Sequence, residues 1–94
     1  MSSIFSKIVS GDMPAFNVAE DENHLAFLDI HPLTYGHVLV IPKKEIDYIF
    51  DISSSEYLDL FSFAQQVAKA MDRVIVCERI GMAIIGLEVP HAHI

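Results

Sequence analysis

The chain has 94 residues, with 13 Asp and Glu residues against six Lys and Arg residues, and a formal net charge of −7 at pH 7. The few basic residues are scattered rather than gathered into a stripe, which argues against a protein that binds a nucleic-acid polymer. A small phosphate ligand stays compatible with this composition, since it needs only a few donors. The length predicts one small domain over residues 1–94.

Composition also bears on compartment and assembly. Apolar residues make up 52% of the chain, a generous share for one small core, and the excess indicates a homodimer interface. Cys77 is the only cysteine, so an internal disulfide cannot form and a reducing compartment is expected. The sequence has neither a signal peptide nor an apolar stretch of about 18 residues that would span a membrane. We therefore expect a cytoplasmic protein with no membrane partner.

The first half of the chain predicts a short helix and three strands. Ser3 caps the helix and Gly11 stops it. Residues 21–23 form a turn between the first two strands, and Pro42 ends the third. The expected bounds are residues 4–10 for the helix and 16–20, 24–30 and 38–41 for the strands.

The second half predicts a long helix and two further strands. Ser53 and Glu56 form a capping box, and Ile52 can contact Tyr57 as a hydrophobic staple. Apolar residues then recur at helical spacing to about Val74. Beyond it we expect a strand over 80–85, a turn over 86–88 and a final strand over 89–94. The predicted fold is α+β, a five-stranded antiparallel meander with one long and one short helix.

Two histidines alternate with apolar residues in the final segment. Successive side chains of a strand point to opposite faces, so His91 and His93 share one face while Ala92 and Ile94 share the other. Imidazoles have a reference pKa near 6.5, which suits proton transfer and nucleophilic attack at neutral pH. His37, at the start of the third strand, is the third candidate for this chemistry.

The same histidines admit other interpretations. They can be structural histidines with satisfied hydrogen bonds, since buried imidazoles need partners. They can also be zinc ligands, because His-x-His on a strand with a third histidine is a zinc arrangement, to which Asp29 or Glu88 can contribute a fourth ligand or a general base. No cysteine pair and no His-Glu-x-x-His helix supports the zinc interpretation.

Several other residues have both a structural and a functional interpretation. Asp29 is the last residue on a mostly apolar face of the second predicted strand, and it either caps the following loop or binds a ligand. Gly86 either makes an ordinary turn or lets a phosphate approach the backbone. The apolar side chains that either fill the core or form a slot for a flat ring are Ile4, Phe5, Ile8 and Phe27.

Four blocks of sequence, taken together, match one protein family. They are residues 4–8 with Gly11 and Pro14, residues 26–30, residues 36–43, and the segment Val-Pro-His-Ala-His-Ile at 89–94. These blocks span nearly the whole chain, and in this order they resemble the histidine-triad (HIT) family of nucleotidyl hydrolases and transferases. The resemblance implies an α+β meander that pairs two subunits into one continuous sheet and binds a purine nucleotide without a cofactor or metal.

The resemblance also implies residue roles. His93 matches the histidine that attacks the α-phosphate to form a covalent nucleotidyl-histidine, which water then hydrolyses. His91 matches the first histidine of the motif, and His37 matches an additional histidine near the phosphate. The positions implied in nucleotide binding, among them the base pocket and the ribose-binding carboxylate, are Ile4, Phe5, Ile8, Phe27, Asp29, Ile30 and Gly86.

Two departures from the family pattern affect the predicted function. The motif has a third histidine at the position after Ile94, so we expect a truncated form that lacks the C-terminal part of the domain. Leu87 and Glu88 stand where many relatives have phosphate-contacting residues. We expect a hydrolase that cleaves a phosphoramidate or phosphoanhydride bond at the α-phosphate of a purine nucleotide. The alternatives are a non-catalytic homodimer that binds a purine nucleotide or a protein partner, and a zinc hydrolase with histidine ligands.

Overall fold

The strands form a small antiparallel sheet, and the two helices lie on opposite faces of it. A computed structural model describes residues 3–94. The elements are α1 (Ile4–Ser10), β1 (Asn17–Glu20), β2 (His24–Leu28), β3 (Val38–Pro42), a single 3-10 turn (Ile49–Asp51) and α2 (Ser54–Val74). The sheet has the order β1-β2-β3, and both neighbouring pairs are antiparallel. Within residues 3–94, no helix combines the length and the apolar character that crossing a membrane requires.

Both helices have the bounds that their capping residues predict. The Ser3 hydroxyl oxygen accepts a hydrogen bond from the Ser6 N–H at 3.0 Å, and Gly11 ends α1 with φ +86°. This left-handed conformation is one that glycine adopts without strain. Ser53 likewise accepts from the Glu56 N–H at 3.4 Å, and its hydroxyl donates to the Glu56 carboxylate at 2.7 Å. Local capping therefore accounts for where each helix begins.

The alternation of side chains along the strands creates two separate cores. One core lies between the sheet and α1 and contains the buried residues Phe5, Leu25, Phe27, Leu39 and Ile41. The other lies between the sheet and α2, where Ala26 and Val40 contact buried residues of the long helix such as Leu60. The sheet is covered on both faces, as its apolar strands predict.

The prediction of five strands is wrong, because the described residues form three. The predicted strand over 80–85 is irregular, and Ile85 is 76% exposed with no strand beside it. The terminal segment joins β3 through one residue pair, Val40 and Ile94, whose N–H and carbonyl groups exchange two hydrogen bonds of 2.9 Å. The neighbouring Ala92 N–H donates to Ile46 instead. A strand requires several consecutive residue pairs with backbone hydrogen bonds, and the terminal segment forms one such pair with β3.

The α2 core makes a stability prediction with an internal control. Leu60 is fully buried, whereas Leu58, on the same helix, is 66% exposed. Leu60→Ala should destabilise the protein by about 2–5 kcal/mol, because it leaves a cavity in the core. Leu58→Ala should change stability by less than about 0.5 kcal/mol. Urea unfolding followed by circular dichroism measures both values, and equal losses would contradict this assignment of the core.

Candidate active site

His91 and His93 lie on the same side of the sheet, against α1. Both imidazoles contact the ring of Phe5 edge to face, with ring centroids 5.9 Å and 5.1 Å away. The side chains between and after them, Ala92 and Ile94, are buried in the α2 core. The predicted sharing of one face by the two histidines is confirmed, although the segment forms no regular strand.

The hydrogen bonds of His91 determine which of its ring nitrogens carries the proton. Nε2 lies 2.8 Å from the Pro42 carbonyl oxygen, which only accepts, so Nε2–H is the donor. In the neutral ring Nδ1 is then an acceptor, and the Ser3 hydroxyl donates to it at 2.8 Å. Burial lowers the pKa of His91, although the Pro42 carbonyl and the charge of Glu45 act in the opposite direction. His91 is therefore a neutral imidazole at neutral pH.

His93 is oriented by the main chain of its neighbour. Its Nδ1–H donates to the His91 carbonyl oxygen at 2.8 Å, so the lone pair of the neutral ring is on Nε2. Gly86 lies beside the ring, since a Cβ atom at this glycine would be 3.9 Å from His93 Cε1. Gly86 has φ +73°, a conformation that other residues rarely adopt. The backbone can therefore run close to the imidazole without a side chain in between.

Asp29 and His37 form a second group of polar residues. Asp29 Oδ2 lies 3.7 Å from His37 Nδ1, and Asp29 Oδ1 accepts from the His31 N–H at 2.9 Å. The Leu33 N–H donates to His37 Nδ1 at 3.1 Å. Asp29 thus caps the loop after β2, as one of its two interpretations predicts, and at the same time contacts His37.

The described structure does not bring His37 into contact with the terminal histidines. Antiparallel pairing of Val40 with Ile94 places His93 opposite Ile41. His37 is four residues from Ile41, which corresponds to roughly 13 Å along a strand. The side-chain partners of His37 in residues 3–94 are Asp29 and Leu33, so the candidate site consists of two groups on one sheet.

The predicted base-pocket residues differ in exposure. Phe5 and Phe27 are buried and contact each other edge to face at 5.5 Å, and Ile8 packs beside them. Ile4 is 41% and Ile30 is 73% exposed. A cavity of about 660 Å³ lies elsewhere, between β3, α2 and residues 75–83, and of the ten predicted site residues only His37 lines it. We place the candidate site at the α1 face, where the paired imidazoles are, and not in this cavity.

Glu45 is a polar contact of the site that the sequence did not reveal. Its Oε1 accepts from the Ser3 N–H at 2.5 Å and from the Ser6 hydroxyl at 2.7 Å. These bonds, with the Ser3 N–H the largest contributor, lower the pKa of Glu45 to about 2. Capping boxes usually take this carboxylate from the third residue of the helix, which here is Ser6. The absence of a glutamate at position 6 was the available signal, but the carboxylate that replaces it belongs to Glu45, 42 residues after Ser3.

The fold and the site together define a class of protein. It is a small α+β domain in which an antiparallel sheet and a short helix hold two histidines on one face. One histidine is neutral and buried, and the other has no hydrogen-bond partner at Nε2 within residues 3–94. The HIT domain family model matches residues 10–94. The chain therefore belongs to the HIT family.

Individual relatives agree with this membership. The chain is 44% identical over 71 residues to adenosine 5′-monophosphoramidase hnt1 of Schizosaccharomyces pombe, a match that covers 76% of this chain and 53% of that protein. It is similar to the crystal structure of a HIT family protein from Bacillus subtilis, with a TM-score of 0.86, 36% identity, and coverage of 99% of this chain and 70% of that one. The chain spans about half the length of the curated relatives that it matches.

Another structural relative is a zinc-bound histidine triad protein from Mycobacterium smegmatis, with a TM-score of 0.91, 36% identity, and coverage of 99% and 71% of the two chains. In the present chain both ring nitrogens of His91 are engaged, by Ser3 and Pro42, and His93 Nδ1 is bonded to a carbonyl. Within residues 3–94 no three His, Cys, Asp or Glu side chains converge as metal ligands do. This donor set does not fit a zinc ion, so we derive no step through one.

The low pKa of Glu45 makes a prediction about acid stability. A carboxylate with a folded-state pKa of about 2 against an ordinary value of 4.5 stabilises the fold above pH 4.5 and loses this contribution as the pH falls toward 2. Glu45→Gln cannot titrate, so the difference in Tm between wild type and this variant should shrink over that range. Thermal unfolding as a function of pH measures it, with Glu22→Gln in the exposed β1–β2 turn as the control. A difference that is constant with pH would contradict the assignment.

Proposed function

We propose that this protein is a nucleotidyl hydrolase that cleaves a phosphoramidate or phosphoanhydride bond at the α-phosphate of a purine nucleotide. His93 is the nucleophile in this proposal. The observation that carries it is the hydrogen bond from His93 Nδ1–H to the His91 carbonyl, because it keeps the Nε2 lone pair available. Similarity to an adenosine 5′-monophosphoramidase supports the reaction class.

The proposed reaction has two steps. His93 Nε2 attacks the α-phosphorus, an N–P bond forms, and the bond from phosphorus to the leaving group breaks, after which the leaving group takes up a proton. Water then attacks the same phosphorus and loses a proton to solvent, which balances the proton that the leaving group took up, and the N–P bond breaks to release the nucleoside monophosphate and the free imidazole. The ring gains positive charge in the first step, and the bond from Nδ1–H to the His91 carbonyl strengthens as it does so.

His91 supports this reaction through position rather than through proton transfer. Both of its ring nitrogens are bonded within the protein, and the ring is fully buried. Its main-chain carbonyl is the group that touches the nucleophile. Attack at phosphorus depends strongly on alignment, so a fixed carbonyl at this point has catalytic value.

The remaining predicted residues bind the nucleotide in this proposal. Gly86 lets a phosphate approach the backbone beside His93. The closeness of the two residues supports this role, since a Cβ atom at Gly86 would lie 3.9 Å from His93 Cε1. Asp29 binds the ribose hydroxyls in this proposal, and His37, 3.7 Å from Asp29, has the role toward the phosphate that the family resemblance implies. The apolar side chains at the α1 face and at the end of β2 contact the base; they are Ile4, Phe5, Ile8, Phe27 and Ile30.

A second candidate is a non-catalytic homodimer that binds a purine nucleotide. It is favoured by the separation of His37 and Asp29 from His93, which leaves the nucleophile without a second imidazole beyond His91 in the described residues. Under this candidate AMP binds to the protein, but neither a covalent adduct nor turnover of a phosphoramidate is detected.

Replacement of His93 tests the enzymatic proposal. His93→Ala should lower the hydrolysis of adenosine 5′-phosphoramidate by at least about a thousandfold, because the nucleophile is lost. AMP affinity, measured by calorimetry, should remain close to that of wild type. Intact-mass analysis at alkaline pH should detect an adenylylated species in wild type and none in the variant.

The matched control is His31→Ala, which removes an exposed histidine from the loop after β2. It should retain wild-type turnover and adduct formation. Turnover or adduct formation in His93→Ala would contradict the assignment of the nucleophile, and AMP binding without either signal in wild type would select the second candidate.

A further inference from the structure

A chain of hydrogen bonds connects an exposed carboxylate to the buried histidine. Glu45 accepts from the Ser3 N–H at 2.5 Å, and the Ser3 hydroxyl donates to His91 Nδ1 at 2.8 Å. His91 Nε2–H then donates to the Pro42 carbonyl at 2.8 Å. These four residues come from the start of α1, the end of β3, the connector after it and the terminal segment. The connection is therefore purely tertiary.

The Ser3 hydroxyl both donates and accepts a hydrogen bond in this arrangement. It is 5% exposed, and its single hydroxyl proton goes to His91 while a lone pair accepts the Ser6 N–H at 3.0 Å. Glu45 holds the main chain at the same residue and also accepts from the Ser6 hydroxyl. The N-cap of α1 is therefore fixed in the orientation that aims the Ser3 proton at His91.

Pro42 selects the tautomer of His91, and Ser3 satisfies the nitrogen that this tautomer leaves as an acceptor. The carbonyl of Pro42 requires a donor at Nε2, so Nδ1 of the neutral ring accepts, and the Ser3 hydroxyl donates its proton to Nδ1 at 2.8 Å rather than to the more distant Ser6 hydroxyl oxygen at 3.4 Å. The opposite tautomer would set a nitrogen lone pair against the Pro42 oxygen, which is unfavourable in a buried site. Two contacts on opposite edges of the ring therefore fix its protonation and its position.

The effect reaches His93 through the main chain. The His91 carbonyl accepts from His93 Nδ1–H, and the two rings contact the same face of α1 at Phe5. We propose that Ser3 is a positioning residue, which holds His91 and thereby orients the His93 imidazole, and that Glu45 holds Ser3 in place. The consequence for turnover rests on the proposed function, whereas the consequence for the hydrogen bonding of the His91 ring does not.

The test removes the hydroxyl while it keeps the helix cap. Ser3→Gly is suitable because glycine is almost as good as serine at an N-cap, and Ser3→Thr restores a hydroxyl. Ser53→Gly is the matched control, since Ser53 caps α2 in the same way but its hydroxyl hydrogen-bonds only Glu56 among the described residues. Nitrogen-15 NMR of the histidine rings reports the tautomer of His91, and steady-state kinetics with adenosine 5′-phosphoramidate report kcat and KM separately.

Ser3→Gly should shift the His91 Nδ1 signal, because this nitrogen loses its hydrogen bond from the Ser3 hydroxyl, while the Pro42 carbonyl keeps the proton on Nε2. It should lower kcat by about tenfold to a hundredfold with KM within about twofold of wild type, since alignment and not binding is disturbed. Ser3→Thr should restore both readouts, and Ser53→Gly should leave both unchanged. Glu45→Gln keeps an acceptor for the Ser3 N–H, so it should have a smaller effect than Ser3→Gly.

Unchanged His91 ring signals in Ser3→Gly would overturn the inference, as would an equal loss of kcat in Ser53→Gly. If wild type has no turnover, the proposed function fails, and the NMR comparison alone decides the positioning role. If Ser3→Gly does not fold, the comparison of Glu45→Gln with Glu22→Gln decides it, because only the first should alter the His91 signals.

Discussion

The structure depends on how one buried imidazole is held. His91 is fully buried, and an imidazole without partners there would cost stability. The Ser3 hydroxyl and the Pro42 carbonyl satisfy its two nitrogens. Ser3 is the N-cap of α1 and Pro42 is the last residue of β3. The two hydrogen bonds that satisfy the buried ring therefore also join the N-terminal helix, the sheet and the terminal segment. The orientation of His93 follows, since its only side-chain hydrogen bond in the described residues is to the His91 carbonyl.

The two faces of the sheet differ in the polar residues that they carry. The α2 face is a conventional apolar core, closed by Leu60 and its neighbours along the long helix. The α1 face also has a buried apolar cluster, but it adds the histidines, Gly86 and the carboxylate of Glu45. Substitutions on the α2 face should therefore act on stability, whereas the polar network on the α1 face can be altered at residues such as Ser3 with effects on geometry first.

Membership of the HIT family and the local geometry support each other without depending on each other. The family match comes from the sequence of residues 10–94, whereas the position of the His93 lone pair, at an Nε2 without a partner in the described residues, comes from one hydrogen bond. In the proposed function a histidine nucleophile depends on alignment, and the contacts around His93 are positional ones. The separate group of Asp29 and His37 indicates that the orientation of His93 and the predicted nucleotide-binding carboxylate are set by different parts of the chain.

The sequence by itself determined both helices and the face that His91 and His93 share. Helix caps, apolar spacing and side-chain alternation are local properties, because they depend on residues that are close together in the sequence. The tertiary structure alone decided the number of strands, the distance from His37 to His93 and the contact of Glu45 with Ser3. Each of these depends on partners far apart in the chain, because a strand exists only where another backbone supplies its hydrogen bonds, and a carboxylate reaches a helix cap 42 residues away only after the chain has folded.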